Sequence, residues 1–197
     1  MKMSIRRTVI LVACLNLLYF GIEFTVARRV GSVSLFADSV DFLEDASLNI
    51  LIAVALQWQA RSRAKLGMVL AGLLLFPAIA TLWTAWSKFH QPLPPAALAV
   101  SLTGAGALAI NLSCALMLTR FRKHSGSLTR AAFLSARNDA LANVVIIAVG
   151  TITAYTHSAW PDLVAGLGIA VLNADAAREV WTAARQEHSV LKQFCTL

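Results

Sequence analysis

This chain of 197 residues is 58% hydrophobic and only 14% charged, whereas about a quarter of the residues of a soluble domain are charged. The composition excludes a soluble protein and indicates an integral membrane protein. The net charge of +7 does not indicate a nucleic-acid partner, because the basic residues fall between the apolar runs, as they do in membrane proteins.

Six apolar runs of about 20 residues follow one another, each long enough to cross a bilayer as an α-helix. We therefore predict an all-α membrane protein with six transmembrane helices. We expect residues 1–188 to form one six-helix domain, followed by a short tail, 189–197. The predicted spans are 8–27, 33–56, 66–86, 96–118, 131–155 and 161–177.

The distribution of lysine and arginine predicts the orientation. With six spans both chain ends lie on one side, and most basic residues lie there too, while the other side holds only Arg28, Arg29 and Lys88. The positive-inside rule places both termini in the cytoplasm. Since no targeting extension is recognisable, we expect a multi-pass protein of the plasma (inner) membrane.

The second predicted span carries four acids, Asp38, Asp41, Glu44 and Asp45. Each charge near a bilayer centre costs roughly 2.5 to 3.5 kcal/mol on insertion scales, so four of them cost on the order of 10 kcal/mol. The apolar residues of the span return only around half of that. A bound cation or bound protons would compensate these acids.

The spacing of the acids predicts a metal site between two helices. Asp41 and Asp45 are four residues apart and share one helical face, and Ser135 and Asp139 have the same spacing in the fifth span. Two such pairs can surround one ion with four side chains. Asn143, one turn beyond Asp139, is a secondary candidate ligand.

Asp38 is a further secondary candidate, on nearly the same stripe as Asp41. Other roles remain open for these residues. Asp38 could cap the second helix, and the other acids could be protonated and hydrogen-bonded. Glu23 and Glu44 fit packing or proton-relay roles better than ligation, and the asparagines of both helices could bond across helices.

A short repeat links the second and fifth spans. Both contain the pattern D-A-x-x-N, at 45–49 and at 139–143, in the middle helix of each group of three. Three helices per half invert the second half, and inverted repeats in secondary transporters place ion sites near the membrane midplane. We therefore predict an inverted three-plus-three repeat.

The sequence does not predict an enzyme. The four histidines, His90, His124, His157 and His188, lie in predicted loops or in the tail, and the three cysteines show no paired spacing. An intramembrane hydrolase would need water at its acids and a substrate path, and no hydrolase motif is present.

With these motifs in place, the chain resembles the cation diffusion facilitator family of divalent-metal transporters. The stretch from Gly31 to Ser39 is similar to the start of that family's second helix, and Asp41 and Asp45 match its second-helix ligand pair. Ser135 and Asp139 fall on the fifth-helix pair. The resemblance implies export of a divalent cation in exchange for protons, by alternating access of a homodimer.

The resemblance extends to Asn111 and to the Pro161-Asp162 start of the sixth helix, with two departures. Ser135 stands where the family often has histidine, and we expect a short member of the family, without the cytoplasmic metal-binding domain that usually follows helix six. An all-oxygen site favours manganese or magnesium over zinc, while zinc and cobalt still accept carboxylates. The metal is substrate; no permanently bound cofactor is expected.

The expected partners are the lipid bilayer, the metal ion, protons and a possible second copy of the chain. An alternative stays open, because serine is a poor ligand. The chain could be a non-transporting accessory or regulatory membrane protein with a degenerate metal site.

Overall fold

A computed structural model describes residues 5–55, 79–119 and 126–171 of the 197. All of the secondary structure in these ranges is helical, as predicted. Six helices lie in them: α1 (Ile5–Val30), α2 (Val33–Ala55), α3 (described over 79–90), α4 (Ala97–Thr119), α5 (Gly126–Thr156) and α6 (Trp160–Val171).

The helices extend beyond several of the predicted boundaries. α1 continues through Arg28 and Arg29, whose side chains are exposed, and α5 begins at Gly126 rather than at residue 131. α3 continues to residue 90, beyond the predicted end at Trp86. Hydropathy marks the apolar part of a helix, whereas polar turns at its ends remain helical. Residues 56, 66–78 and 172–177 of the predicted spans lie outside the described residues.

Three described helices are long and apolar enough to cross a membrane: Ile5–Val30, Ala97–Thr119 and the part of α5 from Ala136 to Thr156. α6 is apolar but shorter over its described length. α2 differs because its four acids interrupt the apolar sequence. Large apolar side chains cover the outside of the bundle, among them Trp83, Leu98 and Leu116, each more than two-thirds exposed. This is the surface expected of helices in contact with lipid.

A tight turn joins α1 to α2. Gly31 has a φ of +64°, a left-handed conformation that glycine adopts without steric cost. The Ser32 amide donates to the Ala27 carbonyl at 3.1 Å, the six-to-one bond of a Schellman motif. The turn places α2 antiparallel to α1, with Tyr19 against Phe42 at 4.9 Å between ring centroids and Phe24 against Phe36 at 5.4 Å.

The helices pack as two pairs, α1 with α2 and α4 with α5. The pairs meet through α1 against α4 and α2 against α5. The close approach between α4 and α5 depends on Gly150. A Cβ at this position would lie 2.9 Å from the backbone nitrogen of Ser101 and 3.0 Å from the carbonyl oxygen of Ala97. The contact between α2 and α5 brings the acidic helix beside the helix that carries Asp139.

Candidate metal centre

The acids of α2 are buried among the helices of the bundle. Asp38 has no exposed surface, Asp45 is 2% exposed and Asp41 is 9% exposed, while Glu44 is only partly buried. Asp41 interacts electrostatically with the three other acids of α2 and also with Asp139 of α5. Four like-charged groups around Asp41 repel one another in a medium that screens charge poorly, so this region favours cations or protons.

The structure brings together part of the predicted metal site. Asp139 is partly buried on α5 and interacts electrostatically with Asp41. Ser135 lies on α5, but its side chain is outside the described residues. Among the side chains that are described, no three carboxylate, thiol or imidazole groups converge closely enough to hold a metal ion. Asp41, Asp45 and Asp139 therefore do not surround a single point in this conformation.

Asn143 bonds across helices rather than facing an open position. Its Nδ2 donates to Asp38 Oδ2 at 2.6 Å, and its Oδ1 accepts from Asn111 Nδ2 at 2.9 Å. All three side chains are almost completely buried. These bonds connect α4 to α5 and α5 to α2. The interhelical role that the sequence left open for Asn143 is the one seen here, and it occupies both ends of the amide.

The same chain of polar groups continues to α1 through Glu23. The carboxyl groups of Glu23 and Asp38 lie close enough to interact electrostatically, and both are fully buried. Neither Glu23 oxygen has a donor among the described residues. Two carboxylates offer only acceptors, so a hydrogen bond between them requires a proton on one. The arrangement is suited to holding a proton one turn away from Asp41.

The two D-A-x-x-N copies have different hydrogen bonds. Asn49 Nδ2 donates to the backbone carbonyl of Asp45 at 2.8 Å, within α2, whereas Asn143 bonds to two other helices. Asp38 does not cap α2, because Ser32 and Asp162 do so. Leu35 N donates to Ser32 Oγ at 3.2 Å, and Val33 N donates to Asp162 Oδ2 at 2.8 Å.

Asp162 joins three helices at this end of the bundle. Its side chain has no exposed surface and accepts from Ser32 Oγ at 2.6 Å, Ser34 Oγ at 2.7 Å and Ser34 N at 3.2 Å. Lys88 of α3, itself buried, lies 2.8 Å away in an ion pair. The family resemblance of the sequence pointed to Asp162 but not to Lys88. An isolated lysine near the end of a span resembles a residue that anchors the helix at the membrane interface.

Sequence reasoning also missed Asn16 of α1. It is fully buried and lies on the face of α1 that carries Val12 and Glu23. The signal was available, because the polar residues Asn16, Tyr19 and Glu23 recur every three or four positions in an otherwise apolar span. Such a polar stripe in a membrane helix indicates an interior face.

Two comparisons bear on this arrangement. A family model described as the cation efflux transmembrane domain matches residues 63–186. That range includes α4, α5 with Asp139, and α6 with Asp162, while Asp41 and Asp45 precede it. A search of curated proteins finds no match.

Proposed function

The chain belongs to the cation efflux family, and we propose that it exports a divalent metal ion from the cytoplasm in exchange for protons. Members of this family are cation transporters and not enzymes. The observation that carries the proposal is the approach of Asp41 on α2 to Asp139 on α5 inside an apolar helix bundle. Acids in such a place are costly unless they bind the transported ion or protons.

We propose Asp41, Asp45 and Asp139 as the ligands of the transported ion. These side chains are on two helices that contact each other, so a small shift of α5 along α2 could bring them around one ion. Ser135 and water would complete the shell. Asn143 and Asp38 bond to each other and would support the ligands rather than join them. A shell of oxygen atoms favours manganese, while cobalt and zinc also accept carboxylate ligands.

Proton exchange follows from the same chemistry. A divalent cation must displace protons from the carboxyl groups that bind it, so metal and protons compete. The Glu23 and Asp38 pair supports the proposal because two fully buried carboxyl groups that interact with each other favour a proton on one of them. Protons entering from the opposite side would then drive metal release.

The proposed architecture has six membrane spans in an inverted three-plus-three arrangement, within one domain over residues 1–188. Both termini would lie on the cytoplasmic side of the plasma membrane. The acids of α2 interrupt its apolar surface, and the described part of α6 is short. Neighbouring helices, lipid or a second copy of the chain would cover the apolar surfaces of these two helices. Gly67 and Ala71, which could allow close helix contact in a homodimer, lie outside the described residues.

The test is metal uptake into proteoliposomes that carry a pH gradient, with manganese, zinc and cobalt offered separately. Native protein is expected to show gradient-dependent flux, and Asp45→Ala and Asp139→Ala are expected to abolish it. Asn138→Ala is the matched control, because Asn138 neighbours Asp139 but is exposed. Ser135→His should raise zinc flux relative to manganese. No flux from folded native protein would instead support the accessory-protein alternative.

A further inference from the structure

Two buried asparagines on neighbouring helices have unused hydrogen-bonding groups. Asn16 on α1 and Asn49 on α2 have no exposed surface. Neither Nδ2 nor Oδ1 of Asn16 has a partner among the described residues, and the same is true of Asn49 Oδ1. Asn49 Nδ2 is held by the Asp45 carbonyl, so the oxygen is the unused end of that amide.

The antiparallel register of α1 and α2 places these amides near each other. Tyr19 packs against Phe42. About two turns further along α1 and nearly three along α2, Val12 belongs to the same apolar cluster as Ile52. Asn16 lies between Tyr19 and Val12, so it is level with the turn of α2 that runs from Asp45 to Asn49. Both asparagines are on the faces that pack inside the bundle.

An apolar cluster closes the bundle beyond these amides, on the side of the N-terminus of α1. It is formed by eight buried residues of α1, α2, α4 and α5: Val9, Val12, Ile52, Ala53, Cys114, Ala115, Leu118 and Ala136. The amides therefore lie between this cluster and Asp41. In the proposed orientation, an ion arriving from the cytoplasm would meet them before it meets Asp41.

Buried amide groups without partners destabilise a protein, because they lose their hydrogen bonds to water. We propose that Asn16 and Asn49 form a transient binding position for a divalent metal cation that still carries part of its water shell. The inference rests on the proposed transport function and adds a second ion position, on the cytoplasmic side of Asp41.

The chemistry of the amides fits a transient position better than a tight one. Two neutral amide oxygens can bind the ion or its water molecules, but they cannot replace the hydration shell of a divalent ion. The carboxylates of Asp41, Asp45 and Asp139 supply the charge needed for that. Weak binding at the amides followed by stronger binding at the acids lets the ion move inward in two steps.

The test measures the KM for metal uptake and the stability of the fold, so that an effect on transport can be distinguished from an effect on folding. Asn16→Leu replaces the amide with an apolar side chain of similar size. We expect its KM for manganese uptake to rise about tenfold, with Vmax changed less than about twofold. Its midpoint of thermal unfolding in detergent should be equal to or higher than that of native protein, because an unpaired buried amide has been removed. Asn16→Ser, which retains a polar oxygen, should recover most of the native KM.

Thr153→Val is the matched control. Thr153 Oγ1 is also buried without a partner among the described residues, but Thr153 lies near the C-terminal end of α5 and not on α1 or α2. Its KM should equal that of native protein. If native protein transports manganese and Asn16→Leu has a native KM, the proposed binding position at Asn16 and Asn49 is wrong, while the proposed transport function stands. A lowered unfolding midpoint with unchanged KM would make Asn16 a structural residue only. Absence of flux in native protein would remove both proposals.

Discussion

At the scale of single residues, the bundle neutralises its buried acids by different means. Asp162 has a lysine and four hydrogen bonds from serines and backbone amides, so its negative charge is fully compensated. Asp38 has one amide donor and a second acid. The first arrangement holds helices together, whereas the second remains responsive to protons and cations.

Asp162→Asn should destabilise the protein by about 3 to 5 kcal/mol, because it leaves the Lys88 charge buried without its partner. The new amide would also point a donor at Val33 N or at Lys88. Thermal unfolding in detergent measures the effect. The double variant Asp162→Asn with Lys88→Met, which removes both charges, should recover part of the loss. Equal midpoints for the single and double variants would show that the ion pair is not the cause.

Asn143→Leu should impair transport without removing a metal ligand. Leucine removes the donor to Asp38 and the acceptor for Asn111, at a cost of about 1 to 3 kcal/mol for the groups left unpaired. We expect a lower unfolding midpoint together with a lower manganese flux. Asn138→Leu, at an exposed position of the same helix, serves as the control. Native flux and native midpoint in Asn143→Leu would contradict the role assigned to these bonds.

The sequence located the acids but not their hydrogen-bond partners. Helical spacing predicted a site between α2 and α5, and these two helices are in contact. It could not choose between ligation and interhelical bonding for Asn143, because that depends on the relative rotation of α4, α5 and α2. The ion pair of Lys88 and Asp162 joins residues 74 positions apart, a separation that periodicity does not address.

At the scale of helices, the contact between α6 and the start of α2 depends on one glycine. A Cβ at Gly166 would lie 2.6 Å from the backbone carbon of Val33 and 2.7 Å from the nitrogen of Ser34. These atoms belong to the turn that Asp162 caps, so α6 cannot approach it with a larger residue at this position.

Gly166→Ala should therefore destabilise the protein by roughly 1 to 3 kcal/mol through overpacking. Gly168→Ala is the matched control on the same helix, because nothing lies within 4 Å of a Cβ there. Alanine favours helix by up to about 1 kcal/mol, so the control should be neutral or slightly stabilising. The two unfolding midpoints, measured in one detergent, decide the matter. A stable Gly166→Ala variant would mean that the contact is looser than described.

Helix existence was easier to predict than helix length. The described parts of all six predicted regions are helical, yet α3 and α5 extend into polar sequence. At α3 the extra turn carries Lys88, which is stabilised by Asp162 from a distant part of the chain. Local hydropathy does not contain that information.

At the scale of the whole molecule, the proposed orientation is accessible to cysteine labelling. In a variant whose native cysteines are replaced by serine, Gln91→Cys lies just after α3 and Arg6→Cys lies at the start of α1. With cytoplasmic termini, a membrane-impermeant maleimide should label Gln91→Cys in intact cells, and Arg6→Cys only after permeabilisation. The reverse pattern would invert the direction of transport that we propose.

The central claim is that acids of α2 and α5 together bind one transported ion. The most direct measurement is equilibrium binding of Mn²⁺ to purified protein, followed by electron paramagnetic resonance. We predict one ion bound per chain, with affinity reduced about 100-fold or more in both Asp41→Asn and Asp139→Asn and little changed in Glu44→Gln. Native affinity in Asp139→Asn would contradict the claim, because α5 would then contribute nothing to the site.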